Sequence, residues 1–167
     1  GDWSSDVCSS DLIKFGSNGS KRFFSYLRAE SKPKQFMAFT EILPGIHYVG
    51  VNDRTTTRFE SLWSLPYGVS YNSYLVIDEK VALIDTVEVS FGEQFIDNIR
   101  AILKDRPIDY LVVDHMEPDH SSSIKTLRLL YPEMQIVGNA KTLQMLDGYY
   151  GIHTLTREVK EGDRKST

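Results

Sequence analysis

A mixed α/β fold, with a sheet that opens on an antiparallel hairpin and continues through parallel strands carrying helices on its faces, is what this sequence predicts. Two β-rich runs, Tyr74-Leu75-Val76-Ile77 and Val81-Ala82-Leu83-Ile84, flank the polar break Asp78-Glu79-Lys80, which reads as a hairpin. Downstream, apolar runs alternate with segments of helical period, so strand, helix, strand and helix follow one another. The run Tyr110-Leu111-Val112-Val113 is apolar without alternation, as expected of a central strand covered on both faces.

Taken in order, Ile46 to Val51 reads as a first strand after the turn signal Pro44-Gly45. Asn52 to about Ser70 reads as a polar loop containing Arg58, Phe59, Glu60, Trp63 and Tyr67, and its length without obvious secondary structure favours a functional loop. Phe95, Ile96, Ile99, Ile102 and Leu103 recur at helical spacing, and Pro107 stops that helix. Ile108 to Val113 is the next strand and Ser122 to Leu130 the next helix, ended by Pro132. Gln135-Ile136-Val137 is a further buried strand, and Asn139 caps a helix containing Leu143 and Met145, with Gly148 and Gly151 punctuating its end. There is no internal repeat.

The chain has 167 residues, of which 41% are hydrophobic and 25% charged, enough for one domain with a real core. With a net charge of -4 and no basic cluster outside the first residues, nucleic acid is not an expected partner. No apolar run approaches the roughly 20 residues needed to cross a bilayer, so no membrane role is expected and the reading is cytoplasmic. Cys8 is the only cysteine, which excludes an intrachain disulfide and a thiolate metal cage.

Residues 1–12 have neither period nor apolar face and resemble translated sequencing adapter. Residues 13–36 are basic, carrying Lys14, Lys21, Arg22, Arg28, Lys32 and Lys34 ahead of a plausible start at Met37. Residues 1–36 are therefore expected to be a non-native or disordered extension that packs on nothing, and 37–167 the domain.

The chemistry concentrates in Asp114-His115-Met116-Glu117-Pro118-Asp119-His120, directly after the central strand. Carboxylates held this close raise one another's pKa unless a cation is bound, whereas a metal favours their ionised forms. Pro118 disfavours helix at Glu117, so the segment is expected to be extended. At period two, His115, Glu117 and Asp119 then point to one side, and His120 follows as the chain turns into a helix. Mixed nitrogen and oxygen donors without thiolate suit iron, manganese or zinc, and the carboxylates shift the expectation toward iron.

The general metallo-β-lactamase superfamily carries H-x-H-x-D-H at this point, and flavodiiron proteins carry H-x-E-x-D-H, which His115, Glu117, Asp119 and His120 spell. Ala82-Leu83-Ile84-Asp85-Thr86 is similar to the superfamily's strand-end aspartate motif, and Leu43–Ile46, Gly68–Tyr74 and Val137–Thr142 also look like flavodiiron sequence. The resemblance spans nearly everything from Met37 onward. It implies a truncated metallo-β-lactamase-like αββα sandwich, roughly its N-terminal half, with one sheet face and its edge uncovered. It further implies that His115 and Glu117 hold one non-haem iron, that Asp119 and His120 hold a second, and that Asp85 orients the ligands. The remaining ligands and a flavodoxin-like FMN domain would lie beyond Thr167, so the fragment alone is expected to be inactive, binding iron weakly and no FMN.

The activity so implied is reduction of dioxygen to water, or of nitric oxide to nitrous oxide, with electrons from FMN. Rubredoxin is the implied donor and a head-to-tail homodimer the implied assembly. Some family members place a His near the position of Glu60; without it, loop packing is the expected role of Glu60 and Trp63. His47 and His153, the latter in what reads as a strand, are assigned to packing. The alternative reading is a dinuclear zinc hydrolase of the same superfamily, against which Glu117 argues, since an anionic oxygen donor weakens water activation and suits higher-valent iron. A metal-free binding module is the third. Met37 to Thr167 alone is expected to show no cooperative transition when its melting is followed by circular dichroism; a monomer melting cooperatively would mean that the domain boundary is misplaced.

Overall fold

The computed structural model describes residues 41–59 and 61–163. Residues 1–36, read above as an extension, and Glu60 lie outside the described residues. The chain divides into two units, Gly1–Met37 and Ala38–Thr167, and all that follows concerns the second.

The first strands are β1 (Glu41–Leu43) and β2 (Ile46–Tyr48), antiparallel across the Pro44-Gly45 turn. Gly45 has φ +78°, and a Cβ there would lie 2.7 Å from the Ile77 carbonyl oxygen, so only glycine fits. The expected single strand from Ile46 to Val51 is in fact two. Gly50 passes so close to the Tyr71 carbonyl oxygen that a Cβ would come within 2.2 Å, and the chain leaves the main sheet there to form β3 (Val51–Asp53).

The expected unstructured loop is also ordered. It holds the hairpin β4 (Arg58–Phe59) and β5 (Trp63–Ser64), and β6 (Val69–Tyr71) returns to pair antiparallel with β3. These pairs are too short for period-two patterning to reveal them. Asp53, 1% exposed, holds the turn between β3 and β4: its Oδ1 accepts from Thr55 N at 2.7 Å, Thr55 Oγ1 at 2.7 Å and Thr56 N at 3.0 Å.

The hairpin of β7 (Tyr74–Ile77) and β8 (Val81–Ile84) forms as predicted, and β7 also pairs with β2. Helix α1 (Gly92–Leu103) buries Phe95, Ile96, Ile99 and Leu103. It ends ahead of Pro107, because Lys104 takes φ +55°. Asn98 on the same helix donates from Nδ2 to the carbonyls of Val49 (3.0 Å) and Gly50 (3.2 Å), tying α1 to the bend between β2 and β3.

Strands β9 (Tyr110–Val112), β10 (Gln135–Gly138) and β11 (Thr156–Glu158) add to β8 in parallel. Between β9 and β10 run the single turn α2 (Pro118–Ser121) and α3 (Ile124–Leu130); between β10 and β11 runs α4 (Ala140–Tyr150). Asn139 caps α4, accepting from Thr142 N at 2.8 Å, and Gly151 closes it at φ +66°. Gly148 lies inside this helix. Among the described residues the main sheet has seven strands in the order β1-β2-β7-β8-β9-β10-β11.

Leu75, Leu83, Leu111 and Ile136 are fully buried and form one core with Phe95, Ile99, Ile124, Leu127 and Leu146 of the helices. Each such side chain contributes roughly 1.5–3 kcal/mol by burial. Among the described residues the two faces of β9 are unequally buried. Tyr74, Ile84, Val112 and Val137 share the opposite face in register and are only part-buried. The apolar run in β9 therefore reflects a core face and a second apolar face, not two equally covered ones.

Burial pushes the Asp53 carboxyl up, but the hydrogen bonds from Thr56 and Thr55 outweigh it and bring it down to about 2. Against an unfolded value of ~3.9, this contributes about 2.6 kcal/mol that is fully present above pH ~4 and lost as pH falls through ~2. Protection of the Thr55 and Thr56 amides from hydrogen exchange is expected to fall by up to about 80-fold over that window, and Asp53→Asn to remove most of it at every pH.

Candidate metal centre

Strand β8 delivers Asp85 and strand β9 delivers residues 113–117 to the same end of the sheet, because the two pair in parallel with Ile84 opposite Val112. Asp85 leaves the strand with φ +54°, a left-handed conformation that Asp tolerates better than most side chains. The turn is pinned by Asp85 N donating to Val112 O (2.8 Å) and Ser73 Oγ donating to Asp85 O (2.9 Å). The carboxylate, in a residue 7% exposed, then uses both oxygens. Oδ1 accepts from Asp114 N at 2.8 Å and Oδ2 lies 3.0 Å from His120 Nδ1.

After β9 the chain bends at Asp114, and Met116, 5% exposed, is anchored in the core while His115 and Glu117 are exposed. Their side chains meet, His115 Nε2 to Glu117 Oε1, at 3.0 Å. Glu117 has φ −67° and ψ 152°, the extended conformation favoured before proline. The extended segment stops there rather than reaching Asp119. Pro118 at the first helical position has its φ preset and no N–H to leave unpaired, so it starts α2 and places Asp119 and His120 in a helical turn. Asp119 thus reaches the cluster from the helix, not by the predicted alternation.

The His120 Nε2 lies 3.4 Å from Asp119 Oδ2, and the His115 and His120 rings meet edge to face with centroids 5.5 Å apart. All five residues singled out in the sequence, Asp85, His115, Glu117, Asp119 and His120, are therefore brought together. Thr86 locks the arrangement from below, donating from N and Oγ1 to His120 O at 2.8 Å each. Sequence reading assigned no role to Thr86 and Ser73, although both lie in stretches that carry the family resemblance. His153 lies in a loop before β11, not in a strand, and pairs on the surface with Asp147 at 3.4 Å. Trp63 is 67% exposed on β5, and His47 sits half-buried in β2.

A cavity of about 470 Å³ opens beside the cluster, where Thr55, Thr56, Phe59, Tyr71 and Phe91 line it together with Arg58, Glu88 and Ser90, and Glu117, Pro118 and Asp119 complete the lining. The Asp53 turn thus forms part of its wall.

The donors suit a metal in three respects. Asp119 Oδ1 is buried without a hydrogen-bond partner, a cost that a cation would remove. Asp85 Oδ2 beside His120 Nδ1 favours the tautomer with Nδ1–H, which leaves Nε2 with a lone pair, the arrangement usual for a ligating imidazole. The Asp114 carboxyl is held above its ordinary range, first by desolvation and then by the Asp85 charge, so anionic groups already crowd here. Among the described residues no three His, Cys, Asp or Glu donors surround one point; the donors come as two pairs, His115 with Glu117 and Asp119 with His120.

A sheet of this order, with a donor-rich turn at the C-terminal ends of β8 and β9, is the metallo-β-lactamase-like α/β arrangement. The chain belongs to the ODP family of beta-lactamase proteins, whose model matches residues 69–166. It is 37% identical over 91 residues to the rubredoxin-oxygen oxidoreductase of Megalodesulfovibrio gigas (54% of this chain, 23% of that protein). It is 34% identical over 106 residues to the anaerobic nitric oxide reductase flavorubredoxin of Salmonella arizonae (63% and 22%). The flavodiiron protein structure from Giardia intestinalis superposes with a TM-score of 0.69 at 32% identity, covering 77% of this chain and 31% of that one. The chain thus spans less than a quarter of the length of these two curated relatives. No helix among the described residues is long and apolar enough to cross a membrane.

In the metal-free protein, nitrogen-15 NMR is expected to find the His120 proton on Nδ1, facing Asp85. Asp85→Asn, whose amide can itself donate, is expected to move that proton to Nε2 and lower metal affinity roughly 10- to 100-fold; an unchanged tautomer would mean that Asp85 does not set it.

Proposed function

We propose that the whole protein is a flavodiiron oxidoreductase in which residues 37–167 supply part of a diiron site, residues 1–36 being no part of the domain. His115 and Glu117 would hold one iron, and Asp119 and His120 the other. The reading is carried by one observation: two nitrogen–oxygen donor pairs leave a single turn side by side, one of them with an orphaned buried oxygen at Asp119. It is supported by relatives named as a rubredoxin-oxygen oxidoreductase and a nitric oxide reductase.

When bound, the metals would supply reduction of dioxygen to water or of nitric oxide to nitrous oxide, fed by FMN on a flavodoxin-like domain. The chain's own residues do the positioning. Asp85 keeps the Nε2 lone pair of His120 available, and Thr86 fixes the backbone beneath it. Glu117 contributes a negative oxygen where an imidazole would be neutral, which lowers the charge of the site and favours iron over a hydroxide-generating zinc pair. Phe59, Tyr71 and Phe91 supply the aromatic part of the adjoining cavity's lining, beside Arg58, Glu88 and Ser90. Rubredoxin as donor, a head-to-tail homodimer and a cytoplasmic location complete the proposal.

In the whole protein, Glu117→Ala is expected to reduce iron from two per chain toward one and to abolish oxygen and nitric oxide reduction, with FMN content unchanged. Metal analysis, flavin absorbance and an oxygen electrode read these three quantities. Two irons and full activity in that variant would sink the assignment, and zinc with hydrolytic turnover in the unaltered protein would establish the hydrolase instead.

A further inference from the structure

The turn that carries the donors is tied to a distant helix end through one buried hydroxyl. Ser121, 0% exposed, closes α2 and places its Oγ 3.0 Å from the carbonyl oxygens of both Met116 and Glu117. The same Oγ lies 3.0 Å from the phenolic oxygen of Tyr150, the last residue of α4. A serine hydroxyl has one proton to give, and here two carbonyls compete for it. The Tyr150 hydroxyl is then the donor in the third contact, so Ser121 accepts from the phenol and shares its own proton between the carbonyl of the Met116–Glu117 peptide and that of the Glu117–Pro118 peptide. The phenol is held in place in turn. Gly151 stops α4 directly after Tyr150, and the Lys125 ammonium lies 5.7 Å from the centre of the Tyr150 ring.

We propose that Ser121 and Tyr150 are positioning residues for the metal centre, acting through the backbone of Glu117 and not by touching metal or substrate. The consequence follows from local geometry. His115 and Glu117 project from a short stretch whose direction is set at one end by β9 and at the other by the Glu117 carbonyl. That carbonyl accepts from His120 N (2.9 Å), Ser121 N (3.0 Å) and Ser121 Oγ. The Met116 carbonyl has Ser121 Oγ as its side-chain donor. Removing the hydroxyl frees the Met116–Glu117 peptide to rotate while α2 remains formed, and the carboxylate of Glu117 loses its fixed approach to His115. Removing only the phenolic oxygen leaves Ser121 free to rotate toward either carbonyl alone, a smaller disturbance of the same kind.

This inference rests on the metal reading, and the experiment separates the two. The whole protein, stripped of metal, is titrated anaerobically with Co²⁺ and with Fe²⁺, and the visible Co²⁺ spectrum is recorded for the unaltered protein, Ser121→Ala and Tyr150→Phe. Ser121→Ala is expected to weaken binding roughly 10- to 100-fold and to shift the Co²⁺ bands, as loss of a supporting hydrogen bond does. Tyr150→Phe, which keeps the ring and its contact with Lys125, is expected to shift the same bands and weaken binding by a smaller factor. If Ser121→Ala does not fold, Tyr150→Phe decides. Binding and spectra identical to the unaltered protein would overturn the positioning role and leave the metal reading standing. An unaltered protein that takes up neither ion would overturn both.

Discussion

The site depends on a single carboxylate. Asp85 sits where β8 ends, and its two oxygens are divided between the backbone of the neighbouring β9 exit, at Asp114 N, and the ring of His120, which lies beyond the next turn. Holding a non-glycine residue at φ +54° costs on the order of 1 kcal/mol, and the exchange is favourable because each hydrogen bond to a buried charged group is worth more than that. Parallel pairing of β8 with β9 is what puts the two strand ends side by side, and the crevice beyond carboxyl ends of parallel strands is the usual place for function in open α/β sheets.

From that anchor the rest of the turn follows by short steps. Pro118 converts an extended segment into a helix within one residue, so His115 and Glu117 arrive from the strand side while Asp119 and His120 arrive from the helix side. Thr86 and Ser121 then hold the two carbonyls that define this turn, His120 O and Glu117 O, from opposite flanks. The result is two nitrogen–oxygen pairs whose backbone is held by hydrogen bonds, neither enclosing a point by itself among the described residues. A backbone held in this way fixes the directions of the side chains it carries before anything binds to them.

The cavity wall obeys a different logic. The Asp53 carboxylate gathers Thr55 and Thr56 into a tight turn, and Arg54 adds a hydrogen bond to the Tyr67 carbonyl, so a polar stretch becomes a fixed surface without a core of its own. Leu62, Trp63 and Tyr67 remain exposed on that hairpin, which distinguishes it from the helices, whose apolar stripes are buried.

Local sequence was sufficient for the hairpin at Asp78–Lys80, the Asn139 cap and the apolar face of α1, since each depends on neighbours in the chain and on periodicities that side chains cannot disguise. The clustering of His115, Glu117, Asp119 and His120 was equally legible, because the four stand within six consecutive positions. Long-range geometry was not. The split of Ile46–Val51 between two sheets turns on Gly50 meeting Tyr71, the order in the 52–70 stretch on β3 meeting β6, and the service of Ser121 on Tyr150 lying 29 residues away. Contacts of that separation leave no periodic trace in the chain, for they arise from how the strands stack in the sheet and not from any property of the residues between them.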